Sequence, residues 1–219
     1  MKTALITGSG SGLGQALAIE YANKGYTIYL VGRNEEKLNI SKDLIEHSGG
    51  QAKVFTCDIT DWDAVSNLST QIDQVDLLIN NAGIGYFNTF ENLEKHEIDT
   101  MVNVNVNGMI YVTKHFLSHL LSSNGRMLNI ISTAGLNGKV QESAYCASKF
   151  AQRGFTESLQ KELADENIEI SAVYMGGMNT PFWEGSDFVK DPSFLPSPQD
   201  YAKQIVTQDD GRHEIHVDK

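Results

Sequence analysis

The sequence is poor in cysteine, proline, positive charge and long apolar runs, and each shortage excludes something. Two cysteines, Cys57 and Cys146, are too few for a disulfide framework and do not stand at a metal-ligand spacing. A reduced, cytoplasmic compartment fits them. No cluster of histidine, cysteine and aspartate has ligand spacing either, so no metal is expected. The four prolines, Pro181, Pro192, Pro196 and Pro198, fall in one late segment, where residues 182–197 have no clean period and read as a loop or lid. Lys and Arg number 17 against 28 Asp and Glu, a net charge of −11, which suits solubility and argues against a nucleic-acid partner. No stretch approaches the ~18 apolar residues of a membrane span. The opening "MKTALITGSG" runs into glycines too early for a signal peptide.

What is present is a 41% hydrophobic composition, enough for a real core in 219 residues. Short apolar runs at 4–7, 27–31, 52–56, 75–79, 126–131 and 168–174 read as strands. Helical patterns lie between them at 12–24, 35–47, 62–71, 95–121 and 143–166. In the first, Leu13, Ala16, Leu17 and Tyr21 share one face. Strand alternating with helix implies crossover connections. The expected fold is therefore α/β: a doubly wound parallel sheet of Rossmann type in three α/β/α layers. The chain has no linker or repeat, so one domain over 1–219 is expected, with a short lid near 178–200.

Glycine is abundant where it matters. "TALITGSGSGLGQALA" joins a strand to a helix through Thr7, Gly8, Gly12 and Gly14. Backbone N–H groups and the helix dipole at such a turn suit a phosphate, and missing Cβ atoms let it approach. The spacing is TGxxxGxG, not GxGxxG, because Leu13 and Gln15 stand where that fingerprint needs glycine. At the end of strand two, where an acidic residue would bond a ribose 2′-OH, stand Gly32 and Arg33. A guanidinium there suits a 2′-phosphate, which favours NADP over NAD.

Tyr145 and Lys149, four residues apart in "AYCASK", would share a helix face. A lysine cation held close favours the phenolate and makes the tyrosine an acid or base near neutral pH. Ser132 closes an apolar strand, and its hydroxyl can hold a carbonyl oxygen beside the tyrosine.

Taken together, the glycine turn, Asn80-Asn81-Ala82-Gly83, Ser132 thirteen positions before Tyr145, and YxxxK resemble a classical short-chain dehydrogenase/reductase over about residues 2–180. The resemblance implies Ser132 as the residue orienting the substrate oxygen and Tyr145 as the acid/base. It implies Lys149 as the residue that lowers the tyrosine pKa and bonds the nicotinamide ribose. In "VNVNVNG" the Asn-x-x-Gly spacing selects Asn105 ahead of Asn103, to hold a water in a proton relay leading out from Lys149. Cofactor contacts are implied for Gly8, Ser9, Ser11, Gly12, Leu13, Gly14, Arg33, Asp58, Ile59, Asn81, Ala82, Gly83, Tyr145, Lys149, Gly176, Met178 and Thr180. For Asp58 a plain helix cap is the alternative.

The chain departs from the family in three places. Met175-Gly176 replaces the usual Pro-Gly, Ser11 stands where NADP enzymes often carry a basic residue, and the chain stops soon after a possible last strand at 214–217. The expected activity is hydride transfer between NADP, or NAD, and a small carbonyl or alcohol. A non-catalytic dinucleotide sensor or scaffold is the alternative. Substrate contacts are expected from 84–90, 138–143 and the lid, whose Phe182, Trp183, Phe188 and Phe194 suggest a partly apolar ligand. The apolar faces of 95–121 and 143–166 suggest a homodimer through those helices, a tetramer being less expected.

Overall fold

Residues 1–186 and 188–217 are described by a computed structural model. Seven strands form one parallel sheet: β1 (Thr3–Thr7), β2 (Thr27–Gly32), β3 (Gln51–Thr56), β4 (Leu77–Asn80), β5 (Arg126–Ile130), β6 (Glu169–Met175) and β7 (Glu214–Val217). Their order is β3-β2-β1-β4-β5-β6-β7. The register is unbroken, with Ile6 opposite Leu30 on one side and Ile79 on the other. The helices are α1 (Gly12–Asn23), α2 (Glu35–His47), α3 (Trp62–Thr70), α4 (Lys95–Met101), α5 (Met109–Ser123), α6 (Ser143–Glu162) and α7 (Pro198–Gln208).

Strand alternation divides the core into two layers. Ala4 and Ile6 of β1 face Leu13, Leu17 and Tyr21 of α1, together with Tyr201 and Ile205 of α7. Leu5, between them, faces the other layer with Val65, Leu68, Val112, Phe116 and Leu159. The doubly wound, three-layer expectation is met.

Three expectations change. The pattern at 95–121 is not one α-helix: α4 and α5 are joined by a π-helical turn, Val102–Gly108. A π turn widens the helix by one residue, which hydrophobic periodicity does not reveal. The helix expected to reach 166 ends at Glu162. Finally, the proline-rich segment does not stay a loop. It forms two short 3₁₀ turns, Pro181–Trp183 and Pro192–Phe194, and leads into α7. Ser197 caps α7 by accepting from Asp200 N, and Pro198 stands at the first helical position, where its missing N–H costs nothing.

Candidate active site

The winding reverses between β1 and β4, and in such sheets a crevice opens at the carboxyl ends of the strands there. The glycine turn lies in it. Gly8 and Gly12 have φ of +65° and +57°, the left-handed region that disfavours other residues. A Cβ on Gly14 would lie 2.3 Å from the Gly8 carbonyl oxygen. Asn81 clamps the turn: its Nδ2 donates to the Thr7 carbonyl at 2.9 Å. The Thr7 hydroxyl in turn accepts from the backbone N–H groups of Asn81 and Ala82, at 3.0 and 3.1 Å.

A cavity of about 610 Å³ runs from this turn to the tyrosine. Gly8, Ser11, Gly12, Leu13, Gly14, Arg33, Asp58, Ile59, Asn81, Ala82, Gly83, Ser132, Tyr145, Lys149, Gly176, Met178 and Thr180 all line it. Ser9 does not. It is fully buried, and its hydroxyl donates to the Val31 carbonyl. Asp58 accepts from the N–H and hydroxyl of Thr60, while the cap of α3 is Asp61, which removes the helix-cap reading of Asp58. Lys37, one helical turn beyond Arg33, lines the same cavity, and neither forms an ion pair among the described residues. Sequence reading missed Lys37, although its four-residue spacing from Arg33 was visible. Bare glycine backbone, a helix N-terminus and two unpaired cations are the donor set a phosphorylated dinucleotide needs, so the residues present fit one.

The polar centre is assembled from three elements. Ser132, just after β5, holds φ of +135°, a conformation rare outside glycine and costing on the order of 1–3 kcal/mol. Its Oγ accepts from Ala134 N at 3.1 Å, which fixes the hydroxyl at the cavity wall. Tyr145 and Lys149 lie one turn apart on α6, the ammonium 5.7 Å from the ring centroid. Burial pushes the Tyr145 pKa up, with the Ser132 hydroxyl pulling it back. Burial disfavours the resting phenolate more than the Ser132 hydroxyl favours it. Burial also pushes Lys149 down, to about 7.

Lys149 Nζ donates to the Ile130 carbonyl at 3.3 Å and to Gln152 Oε1 at 2.8 Å. Gln152 Nε2 donates to the Asn105 carbonyl at 2.6 Å. The Asn105 side chain is occupied as well. Its Oδ1 accepts from Ile84 N, and its Nδ2 donates to the Ile84 carbonyl and Ser148 Oγ. Asn105 thus lies behind the cavity wall, fully buried, whereas Asn103 is exposed and bonds Asn107. Gln152 was not foreseen. Its signal was its place one turn beyond Lys149 on the same helix face.

An aromatic group roofs the tyrosine. Phe87, from the loop after β4, meets the Tyr145 ring at 5.3 Å, Trp183 at 5.3 Å and Phe188 at 4.8 Å. Phe182 joins it at 5.9 Å, but Phe194 is exposed and takes no part.

The sequence profile described as short chain dehydrogenase matches residues 2–187. A fatty acyl-CoA reductase of Acinetobacter baylyi is 37% identical over 94% of this chain and 72% of its own length. A short-chain dehydrogenase/reductase structure from Vibrio parahaemolyticus shares 31% identity, covering 98% of each chain at a TM-score of 0.86. A metagenomic short-chain oxidoreductase, solved in complex with NADP, shares 27% identity over 99% of this chain and 95% of its own, at a TM-score of 0.83. The chain belongs to the short-chain dehydrogenase/reductase family. It is accordingly an NAD(P)-dependent oxidoreductase. Among the described residues no helix is long and apolar enough to cross a membrane.

Proposed function

We propose that this protein is an NADP-preferring oxidoreductase that interconverts a carbonyl and an alcohol, with Tyr145 as acid/base. The observation that supports this best is that Ser132, Tyr145 and Lys149 line one cavity with the glycine turn and Arg33. The bound cofactor supplies or accepts the hydride at the substrate carbon. In reduction, the Ser132 hydroxyl donates to the carbonyl oxygen and polarises it. Tyr145 passes its phenolic proton to that oxygen as negative charge grows there. Burial keeps Tyr145 protonated at rest, which is the form a general acid needs. Lys149, in its cationic form, stabilises the phenolate that remains. Asn105 anchors the loop after β4 through Ile84.

The cofactor is expected to lie along Ser11, Gly12, Leu13 and Gly14, then Asp58, Ile59, Asn81, Ala82 and Gly83, and to end near Gly176, Met178 and Thr180. Ser9 would act from below by holding the turn to β2. Arg33 and Lys37 support NADP over NAD. Charge-assisted phosphate bonds contribute roughly 1.5–3 kcal/mol. Arg33→Ala should therefore weaken NADPH about tenfold while NADH changes little.

The aromatic roof favours an apolar carbonyl compound, and the reductase from Acinetobacter is named for a fatty acyl substrate. The whole chain acts as one domain, with 178–200 as its lid, in the cytoplasm. Met101, Met109, Val112, Phe116 and Leu159 are spent on the chain's own core, but Val102 of the π turn and Phe150 of α6 remain exposed. They support a homodimer, read by light scattering as twice the 24.2 kDa chain mass.

A panel of aliphatic and aromatic ketones and aldehydes, followed by NADPH absorbance, tests the activity. Tyr145→Phe should lose on the order of 10²–10⁴ in turnover and still bind NADPH. Turnover near that of the unmodified protein would end the proposal.

A further inference from the structure

We infer that Gln152 is a positioning residue for the Tyr145–Lys149 pair. Its side-chain amide forms a fixed bridge from Lys149 Nζ to the Asn105 carbonyl. The inference rests on the oxidoreductase reading of this site. The bridge is short at both ends, 2.8 and 2.6 Å, and Gln152 is 1% exposed. Its two partners are chemically opposite. An ammonium only donates and a carbonyl only accepts, and an amide offers one acceptor and one donor to match. A carboxylate would face the carbonyl with a second acceptor, and a thioether would satisfy neither partner.

Both ends of the bridge are themselves held. The Gln152 carbonyl accepts from Thr156 Oγ1, which accepts from Asn129 of β5. Asn105 sits in the π turn, whose widened backbone presents its carbonyl to α6. Lys149 is thereby tied to α6, to the end of β5 and to the α4–α5 connection at once.

The chemical consequence concerns proton traffic. Water accepts one proton and releases another by reorienting. An amide locked with Oε1 accepting and N–H donating passes a proton only through its unfavourable imidic acid form. The bridge therefore fixes Lys149 and closes the inward route through Asn105. The lysine exchanges its proton on the cavity side instead.

The groups facing Lys149 leave room for this effect. From α6 come Tyr145 and Gln152, from the end of β5 the Ile130 carbonyl, from the loop after β4 Gly83, and from the π turn Asn105. Among the described residues that face it, Tyr145 is the titratable one, and the other charged residues lining the cavity are Arg33, Lys37, Asp58, Lys139, Glu142 and Glu184. Burial alone accounts for the depressed lysine.

The test reads Lys149 directly, without cofactor or substrate, from the lysine 13Cε resonance that Lys149→Arg removes. In Gln152→Glu its titration midpoint should rise by about one pH unit or more, because an opposite charge now touches it. In Gln152→Met, which removes an acceptor from the ammonium, it should fall. The limb of the kcat–pH profile should move the same way, while KM for the carbonyl stays within about twofold, since Gln152 does not line the cavity. A role confined to stability would lower the melting temperature and leave both midpoints in place, and that result overturns the inference. If Gln152→Met does not fold, an unmoved midpoint in Gln152→Glu is enough to overturn it. The unmodified protein gives a third reading: the Gln152 side-chain amide protons should titrate with Lys149, and amide shifts indifferent to pH would refute the bridge. Absence of carbonyl turnover would defeat the proposed activity and leave these titrations readable.

Discussion

The two ends of β5 each hold a cation drawn largely out of water, and they hold it by opposite means. At the amino end Arg126, the first residue of the strand, reaches Asp209 at 2.9 Å, the Asp209 carbonyl at 3.0 Å and the Tyr26 hydroxyl at 3.2 Å. Tyr21 completes that cluster by donating to Asp209 Oδ2 at 2.7 Å. At the carboxyl end Lys149 rests on Ile130, the last residue of the same strand, with neutral partners. The difference lies in the counter-charge. Asp209 opposes Arg126 and its side chain is 2% exposed, so the guanidinium stays charged and the pair ties the chain after α7 to the sheet. Lys149 has no such partner among the described residues, and burial pushes its pKa down to about 7. One cation serves as a fixed clasp and the other can change state.

The sharpest way to separate the two ends is to remove each cation in turn. Lys149→Met should lose about a hundredfold or more in turnover and remain folded. Arg126→Met should do the reverse. Stripping the charge that faces buried Asp209 should cost about 2–3 kcal/mol, discounted because Arg126 keeps some contact with water. Its kcat per folded molecule should not change. Equal losses of turnover in the two variants, after correction for folded fraction, would erase the distinction.

The pH dependence of stability sharpens it further. On folding, the Lys149 pKa falls from 10.5 to about 7, so between those values the unfolded chain carries a proton the native chain does not. Lys149 should therefore make stability rise with pH from about 7, by up to about 1.4 kcal/mol per pH unit, until above about 9 the buried Cys57 thiol, pushed up to about 11, opposes it. Below about 7 the cost of the buried ammonium is fully present and this contribution is flat. Urea titrations at stepped pH should show the rise in the native chain and in Arg126→Met, and lose it in Lys149→Met. The smallest effect is expected from Tyr21→Phe. It takes one donor from Asp209 but leaves the ion pair, for about 1 kcal/mol in the same titrations.

The sequence made one end of β5 far more legible than the other. Tyr145, Lys149 and Ser132 stand at spacings that a helix and a strand end bring together, so their meeting in one cavity was readable before the fold. Arg126 and Asp209 are eighty-three residues apart with no motif to join them, and only the folded sheet reveals their contact. The strands were found within about two residues, because buried parallel strands are continuous apolar runs. The helix α7 was hidden because prolines at 192, 196 and 198 read as a break, although Ser197-Pro198-Gln199-Asp200 carries a cap and a helix start. Gln152 and Lys37 were missed for another reason. An amide or an ammonium one turn from a known residue is commonplace, and its meaning comes from what the neighbouring element presents to it. For Gln152 that partner is a backbone carbonyl, which has no letter in a sequence.

The π turn at Val102–Gly108 carries a consequence for how this chain tolerates insertions and deletions. A π turn is an α-helix with one surplus residue, so its geometry depends on how many residues occupy the span as well as on which ones. The bulge has already absorbed the roughly 100° that one residue subtends at 3.6 per turn, so removing a single residue there would let regular hydrogen bonding run from α4 into α5 with the phase of α5 kept. The face buried through Val112 and Phe116 would stay in the core, while the Asn105 carbonyl would turn away from Gln152 into the helical ladder. The same deletion within α5 has no bulge to absorb it and rotates the rest of that helix. A deletion scan across 95–123 should therefore find its mildest loss of stability at 102–108 and deeper losses within α5.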